Sequence, residues 1–277
     1  MKIARIINII LILAFIESCT HSVSSRVNTA QSIALNASLN AQTIHTDGFT
    51  LQLYQRLSHT STIAHIYIEG DGYAWADRHA PSLDPTPKNP LALKLAAQDS
   101  FANVIYLARP CQYIRSDRCD QKYWTSHRFA PDIIETMSVA LDTLKTEHGL
   151  TSFHLIGFSG GANIAALLTA QRSDILSLRT VAGNLDHITL HRHHNVTQTP
   201  ESLNAVDIAA QIKDIPQHHF IGEQDKIVPP HVVQSFIKAA GDTSCLKSTI
   251  IPNATHQKLW PDIWPALLNK SVDCQMD

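Results

Sequence analysis

The sequence contains no run of lysine or arginine and no internal repeat among its 277 residues. Proteins that bind nucleic acid carry a basic patch that contacts phosphates, so nucleic acid is not an expected partner. The sequence also has no Cys-x-x-Cys pair, and it suggests neither a metal site nor a cofactor. Charged residues make up 17% of the chain and hydrophobic residues 44%, a composition that predicts a folded domain rather than a disordered chain.

No apolar run near the N-terminus is long enough to cross a bilayer comfortably. Two basic residues precede the apolar stretch 6–16, and a polar Ser/Thr/Asn-rich stretch follows it. This pattern predicts that residues 1–18 form a signal peptide and that the protein is exported. A buried or membrane-anchoring helix is the alternative.

The cleavage site is the second question about this segment. Residues 16–19 resemble a bacterial lipoprotein box, in which Cys19 becomes the lipidated N-terminus. Glu17 departs from that pattern, because a small or aliphatic residue is usual there. Ordinary signal cleavage and membrane association through a lipidated Cys19 therefore both stay open. The predicted location is the periplasm, or the outer membrane, of a bacterium.

The remaining four cysteines are even in number, which suggests disulfide bonds in an exported protein. Four cysteines allow three pairings. We expect Cys111 to pair with Cys119, closing a short loop, and Cys245 to pair with Cys274, tying the tail to the last strand. Four reduced cysteines are the alternative.

Apolar runs alternate with helical patterns over residues 49–277, after a polar segment, 19–48, that is predicted to be a linker or irregular. The predicted strands are 49–57, 62–69, 103–108, 152–157, 178–182, 217–221 and 248–251. The predicted helices are 90–100, 131–148, 162–172, 230–240 and 261–269. Alternating strands and helices predict an α/β fold: a three-layer α/β/α sandwich with a mostly parallel sheet of about eight strands.

The strongest motif is Gly-x-Ser-x-Gly at residues 157–161. An apolar strand precedes it and an alanine-rich helix follows, which is the context of a nucleophile elbow. Such a turn presents the hydroxyl of Ser159 at a helix N-terminus, where developing negative charge is stabilised. The alternative is a glycine-rich turn without chemistry.

A serine nucleophile needs a base and an acid, and in this arrangement the acid and then the base follow the serine along the chain. Asp225 lies in a turn after the strand 217–221, and His256 follows the last predicted strand. We expect His256 to take the proton of Ser159 and Asp225 to orient the imidazole. The competing acids are Glu223 and Asp207, and the competing base is His231.

The oxyanion formed by serine attack needs backbone N–H donors. One donor is expected at Gly160, directly after the nucleophile. The second is expected from the loop that begins at residue 69, at Asp71 or Gly72; the alternative is that this loop is an ordinary tight turn. The loop after the strand 103–108, which starts at Arg109, is expected to form a wall of the pocket because it lies at the same edge of the sheet.

Together these residues resemble the α/β-hydrolase superfamily from about residue 49 onward. Four short sequence segments resemble an exported bacterial branch of this superfamily: 69–72, 109–113, 183–187 and 222–229. The resemblance implies a serine hydrolase that cleaves a carboxylic ester, or a related acyl bond, of a small-molecule acyl substrate through an acyl-enzyme intermediate. A peptidase or acyltransferase with the same triad, and a non-catalytic envelope-associated binding protein on this fold, are the alternatives.

The segment 185–204 is the only candidate for a short loop cap over the site. It contains His191, His193 and His194, whose His-x-His spacing can chelate zinc on a strand. No carboxylate or cysteine near them completes a ligand set. The prediction is therefore a solvated loop rather than a metal site.

Overall fold

A computed structural model describes residues 22–58 and 60–274. Its strands are β1 Asn40–His45, β2 Thr50–Arg56, β3 Ile63–Ile68, β4 Val104–Leu107, β5 Ser152–Phe158, β6 Ile175–Val181, β7 Gln217–Gly222 and β8 Leu246–Ile251. Its α-helices are α1 Val23–Asn36, α2 Leu91–Ala97, α3 Pro131–His148, α4 Gly160–Gln171, α5 His187–His194, α6 Pro230–Ala240 and α7 Trp260–Leu268. Two short 3₁₀ helices, Gln121–Trp124 and Ala205–Ile208, complete the regular structure of the described residues.

The eight strands form one sheet in the order β1-β2-β4-β3-β5-β6-β7-β8. Strands β3 to β8 are parallel to one another, whereas β2 pairs with β1 and β4 in antiparallel fashion. All four residues of β4 are buried, as expected of a parallel strand that is covered on both faces. The predicted sheet of about eight mostly parallel strands is confirmed.

Helices cover both faces of the sheet, because side chains alternate between the faces along each strand. In β5, Leu155 belongs to one core cluster and Ile156 to the other. Helices α3, α4 and α6 complete the first cluster, and helices α1, α2 and α7 complete the second. The result is the predicted three-layer sandwich, in which the carboxyl ends of β3 to β8 lie along one edge.

Helix α3 shows why several helices begin where the sequence predicts. Pro131 occupies its first turn, where the missing N–H leaves no hydrogen bond unmade, and Gly149 ends it with a φ of 64°. The buried residues Ile133, Met137 and Leu141 recur at helical spacing and face the sheet. The predicted ranges of α3 and α6 coincide with the observed ones.

The structure differs from the prediction of a linker or irregular segment at 19–48. Helix α1 starts at Val23, and the side chain of Ser22 caps it by accepting from the N–H of Ser25. Ala30 and Ala34 are buried, although most of the helix is polar and exposed. Strand β1 then pairs with β2 along its whole length. Two small alanines among serines, threonines and asparagines give too weak an apolar pattern to reveal this packing.

The predicted loop at 185–204 is also partly helical. Asp186 caps α5 by accepting from the N–H of Thr189, and Asn195 ends the helix with a φ of 52°. None of the described helices is long and apolar enough to cross a membrane. The predicted signal peptide and Cys19 lie outside the described residues.

Candidate active site

Ser159 stands on a sharp turn between β5 and α4. Its φ of 51° and ψ of −119° are rare for a residue with a side chain, and such strain costs on the order of 1–3 kcal/mol. The turn also requires glycines. A β-carbon on Gly157 would lie well under 3.0 Å from Ala162, and one on Gly161 would come equally close to the carbonyl of Ile68. The local sequence therefore builds the geometry of a nucleophile elbow.

The structure brings Ser159, Asp225 and His256 together. Nε2 of His256 lies 3.0 Å from Oγ of Ser159, across a sequence separation of 97 residues. Nδ1 of His256 lies 2.8 Å from Oδ2 of Asp225. An ionised carboxylate can only accept, so Nδ1 carries the proton and Nε2 is left to accept from the serine hydroxyl.

Asp225 is held in place by the turn after β7. The residue is only 3% exposed, and its Oδ1 accepts from the N–H groups of Ile227 and Val228, each at 2.8 Å. The other oxygen is thereby oriented toward His256. Because the carboxylate is buried and hydrogen-bonded through both oxygens, the direction of the imidazole is fixed.

The competing acids and base lie elsewhere. Asp207 belongs to the 3₁₀ helix Ala205–Ile208, and Glu223 accepts from the backbone N–H of Asn253. His231 lies in the first turn of α6, with its ring 4.9 Å from that of His193. None of these three makes a hydrogen bond to the serine or its histidine within the described residues.

The loop after β3 meets the start of α4 beside the serine. A β-carbon on Gly160 would lie well under 3.0 Å from Oδ1 of Asp71, so the carboxylate of Asp71 rests against Gly160. A β-carbon on Gly70 would lie 3.2 Å from Cβ of Ser159. Gly72, with a φ of 67°, is instead packed against the carbonyl of Pro85 and serves the turn itself. The sequence did not single out Gly70, because only its contact with the serine distinguishes it.

Two buried arginines converge on Asp71. Nη1 of Arg109 donates to Oδ1 of Asp71, and Nε of Arg128 lies 3.5 Å from Oδ2. Burial acts to raise the pKa of Asp71, but the charges of Arg128 and Arg109 outweigh it and hold that pKa below its usual value. Asp71 is therefore an anion between two cations. Arg128 was not predicted, because it lies in a loop with no sequence motif.

Glu69 occupies the start of the same loop and is 1% exposed. Its Oε1 accepts from the N–H of Gly70 at 2.9 Å. Burial raises the pKa of Glu69 to about 7, even though several hydrogen bonds oppose the shift. The backbone donor of Gly70 is thus already engaged.

Both expected disulfides are formed in the structure. Cys111 pairs with Cys119, and Cys245 pairs with Cys274. The first bond lies in the loop after β4, which is the predicted pocket wall. In that loop Gln112 donates from Nε2 to the carbonyl of Gly70 at 2.9 Å, so the wall also supports the loop after β3.

A cavity of about 910 Å³ is lined by residues next to the site rather than by the triad itself. Arg128 and His191 line it, and so does Ile227, two residues after Asp225. His191 is 4% exposed and lies on α5, so the prediction of a solvated loop is wrong for this residue. Among the described residues, no group of three or more histidines, cysteines or acids could hold a metal ion.

Solved structures with a similar fold are serine hydrolases and esterases. The Pyrococcus furiosus esterase Pf2001 has a TM-score of 0.61 and 15% identity, with 84% of this chain and 92% of that chain covered. A membrane phospholipase A has a TM-score of 0.58 and 14% identity, over 96% and 98% of the two chains. An α/β serine hydrolase without lid from Xanthomonas campestris has a TM-score of 0.56 and 13% identity, over 83% and 91%.

The sheet, its flanking helices and the serine turn define an α/β-hydrolase-type serine hydrolase. The sequence profile of the FSH1 serine hydrolases matches residues 97–256. The chain belongs to this FSH1 serine hydrolase family. No curated protein is significantly similar to the sequence. The matched span contains Ser159, Asp225 and His256 but not the loop after β3.

Proposed function

We propose that this serine hydrolase cleaves carboxylic esters through a triad of Ser159, His256 and Asp225. The observation that carries the proposal is the position of His256, with one ring nitrogen 3.0 Å from the serine hydroxyl and the other 2.8 Å from the buried carboxylate. These are the distances at which a base accepts the nucleophile's proton and a carboxylate stabilises the resulting cation.

In the proposed mechanism, Nε2 of His256 takes the proton of Ser159 as Oγ attacks the carbonyl carbon of the ester. The tetrahedral intermediate collapses when the imidazolium returns that proton to the leaving alcohol oxygen. An acyl-enzyme then links Oγ of Ser159 to the acyl group. Water, deprotonated by the same nitrogen, attacks the acyl-enzyme and releases the acid and the free serine.

We assign the oxyanion donors to the backbone N–H groups of Gly160 and Asp71. Gly160 is the first residue of α4, where the N–H groups have no partner within the helix. The contact between the Asp71 carboxylate and Gly160 brings the two backbones together, and the arginine pair holds that contact. Removal of one such donor typically lowers the rate by about 10²–10³.

The strained conformation of Ser159 supports catalysis over the alternative of a non-catalytic binding protein. Backbone strain persists where the surrounding structure enforces it, and a serine in a binding surface needs none. Acyl transfer and peptide cleavage use the same triad, but no contact in the described residues favours either over ester hydrolysis.

We also propose that the protein is exported, as the N-terminal sequence predicts. The two disulfides support this location, because disulfides persist in oxidising compartments. Mass spectrometry of the mature N-terminus distinguishes a lipidated Cys19 from an ordinary cleaved signal peptide.

Labelling with a fluorophosphonate tests the mechanism. The wild-type protein is expected to be labelled at Ser159, and Ser159→Ala is expected to abolish both labelling and the hydrolysis of 4-nitrophenyl butyrate. His256→Ala should lower the hydrolysis rate by a factor on the order of 10⁴ or more, since the members of a triad act as a unit. The exposed Ser173, just after α4, supplies the matched control Ser173→Ala, which should keep wild-type activity. Full activity in a folded His256→Ala protein would refute the triad.

A further inference from the structure

The cavity of about 910 Å³ is lined not by the triad itself but by residues that neighbour it. On one side it is lined by Arg128, which lies beside Asp71 and hence next to Gly160. On another side it is lined by Ile227, whose N–H donates to Asp225. The cavity is therefore bounded by the neighbours of both the oxyanion loop and the triad acid.

Among the residues that line this cavity, one buried N–H group has no acceptor and a second is only weakly paired. Nη2 of Arg128 lies 2.8 Å from Nε2 of His191. A guanidinium only donates, so Nε2 accepts and the proton of a neutral His191 is on Nδ1. Within the described part of the chain, Nδ1 of His191 has no hydrogen-bond partner, and Nε of Arg128 has only the ion pair with Oδ2 of Asp71, 3.5 Å away and outside hydrogen-bond geometry. A buried donor without a partner calls for an acceptor, because it is costly to leave unsatisfied.

The charge balance around the cavity favours an acceptor that is an anion. Asp71 is shared between Arg109 and Arg128, so one negative charge faces two positive ones. His191 is neutral, since burial and the charge of Arg128 lower its pKa to about 4. Arg78 adds a further positive charge to the lining.

Asp77 is the single acid among the described lining residues, and it is already engaged. Its Oδ1 accepts from the backbone N–H groups of His79 and Ala80, at 2.7 and 2.9 Å. Asp77 offsets one of the two arginine charges of the lining, and Asp71, shared with Arg109, offsets only part of the other, so a surplus of positive charge remains.

Three of the residues that line the cavity are apolar and exposed. Trp75, Val196 and Ile227 line it, and their exposed fractions of 44%, 42% and 57% are large for such side chains. Exposed apolar side chains and a buried cationic side chain in one lining suit an amphiphilic molecule, in which a carbon chain carries an anionic end.

We propose that the cavity binds an anionic group of the substrate, a carboxylate or a phosphate, through Arg128 and His191, so that the enzyme prefers esters carrying such a group. This inference rests on the proposed ester hydrolysis at Ser159. Nδ1 of His191 and the guanidinium of Arg128 supply the hydrogen bonds, and Arg128 supplies the charge that makes them strong.

Two matched pairs of esters test the proposal. In the acyl pair, mono-4-nitrophenyl adipate is compared with the neutral 4-nitrophenyl heptanoate. In the alcohol pair, the butyrate of 4-hydroxybenzoate is compared with the butyrate of its methyl ester. Uncatalysed rates are subtracted, and kcat/KM is measured at a pH where the carboxylates are ionised. We expect the anionic member of at least one pair to be preferred by about tenfold or more.

Variants locate the preference. Arg128→Gln is expected to lower the ratio of anionic to neutral kcat/KM by about tenfold, and Arg128→Lys to restore part of it. Arg78→Gln, at the exposed side of the lining, should lower the ratio less. The control is Arg192→Gln on α5, which removes the same charge one residue from His191 but outside the lining, and it should leave the ratio unchanged.

The outcomes separate this inference from the proposed function. If wild-type protein hydrolyses the neutral esters but prefers the anionic member of neither pair, the inference is overturned and ester hydrolysis stands. If none of the esters is hydrolysed and Ser159 is not labelled by a fluorophosphonate, the proposed function itself fails. Inhibition of neutral-ester hydrolysis by glutarate, compared with inhibition by inorganic phosphate, shows which of the two anions the cavity takes.

Discussion

The carboxylate of Asp71 lies against the α-carbon of Gly160, so closely that no β-carbon fits between them. This contact joins the loop after β3 to the first turn of α4, and the proposed oxyanion donors belong to these two segments. Arg109 holds the carboxylate from the other side. The spacing of the two donors therefore depends on a glycine and an ion pair rather than on a sequence motif.

Gly160→Ala is expected to displace Asp71 and thereby lower kcat by about 10²–10³, because one oxyanion donor moves out of position. Steady-state hydrolysis of 4-nitrophenyl butyrate measures the effect, and a thermal melt shows whether the variant folds. Ala166→Gly on the same helix is the control. It weakens the fold by about 1 kcal/mol through helix propensity, and by more through lost packing because Ala166 is buried, but it removes no group next to Asp71, so kcat should be kept. Wild-type kcat in folded Gly160→Ala would place the donors elsewhere.

His219 is expected to destabilise the protein in acid. The residue is fully buried, and burial, together with the charge of His218, lowers its pKa from 6.5 to about 3. Between those values the unfolded chain binds more protons than the folded one, so the free energy of unfolding rises with pH across this window.

The slope in this window is up to about 1.4 kcal/mol per pH unit for one proton. His219→Leu should reduce the slope between about pH 3 and 6.5, whereas exposed His45→Gln should not. Urea unfolding over a pH series measures it, and an unaltered slope in His219→Leu would contradict the expectation.

Glu69 is expected to act in the opposite sense. Its pKa is raised from 4.5 to about 7 in the folded state, so the folded protein binds more protons between these values and loses stability as pH rises. Glu69→Gln keeps an oxygen acceptor for Gly70 and removes the charge. Relative to wild type, the variant should gain up to about 3 kcal/mol between pH 4.5 and 7. Exposed Glu201→Gln is the control, and an equal gain there would assign the effect to surface charge.

Loss of each disulfide is expected to lower stability, but only one of the two losses is expected to lower kcat. Cys111–Cys119 spans 8 residues and Cys245–Cys274 spans 29, so loop entropy predicts stabilisation of about 2.5 and about 3.5 kcal/mol. Replacing the first pair by serine should also lower kcat, because the loop after β4 supports Gly70 through Gln112.

Replacing the second pair should leave kcat unchanged at a temperature where the protein is folded. Cys245 precedes β8, at the edge of the sheet opposite to His256. Denaturant unfolding and steady-state kinetics on the two double variants separate the effects. Equal losses of kcat would show that the loop after β4 has no particular role at the site.

The order of the motifs along the chain and the local apolar patterns were sufficient to predict the sheet and the grouping of Ser159, Asp225 and His256. The elbow is a local motif, since Gly157 and Gly161 are needed within five residues of the chain. Asp225 and His256 follow separate strands, and parallel strands bring their carboxyl ends to one edge. Short-range sequence therefore carries most of the information about this site.

The remaining features depend on contacts between distant segments. Arg128 follows no motif, and its role comes from its position beside Asp71 and His191. Helix α1 buries only small side chains and one arginine on a polar background, so its amphipathic pattern is weak. Neither the role of Arg128 nor the packing of α1 can be predicted from local sequence, because each depends on contacts between distant parts of the folded chain.

Helix α1 has a consequence for how the enzyme would sit on a membrane. Arg26 is buried and donates to the carbonyl oxygens of Asp84 and Thr86, so the folded body begins at the start of this helix. Only two residues separate Cys19 from the helix cap at Ser22. Three residue steps span at most about 11 Å. If Cys19 carries a lipid, the helix cap at Ser22 therefore lies within about that distance of the lipidated residue at the bilayer surface.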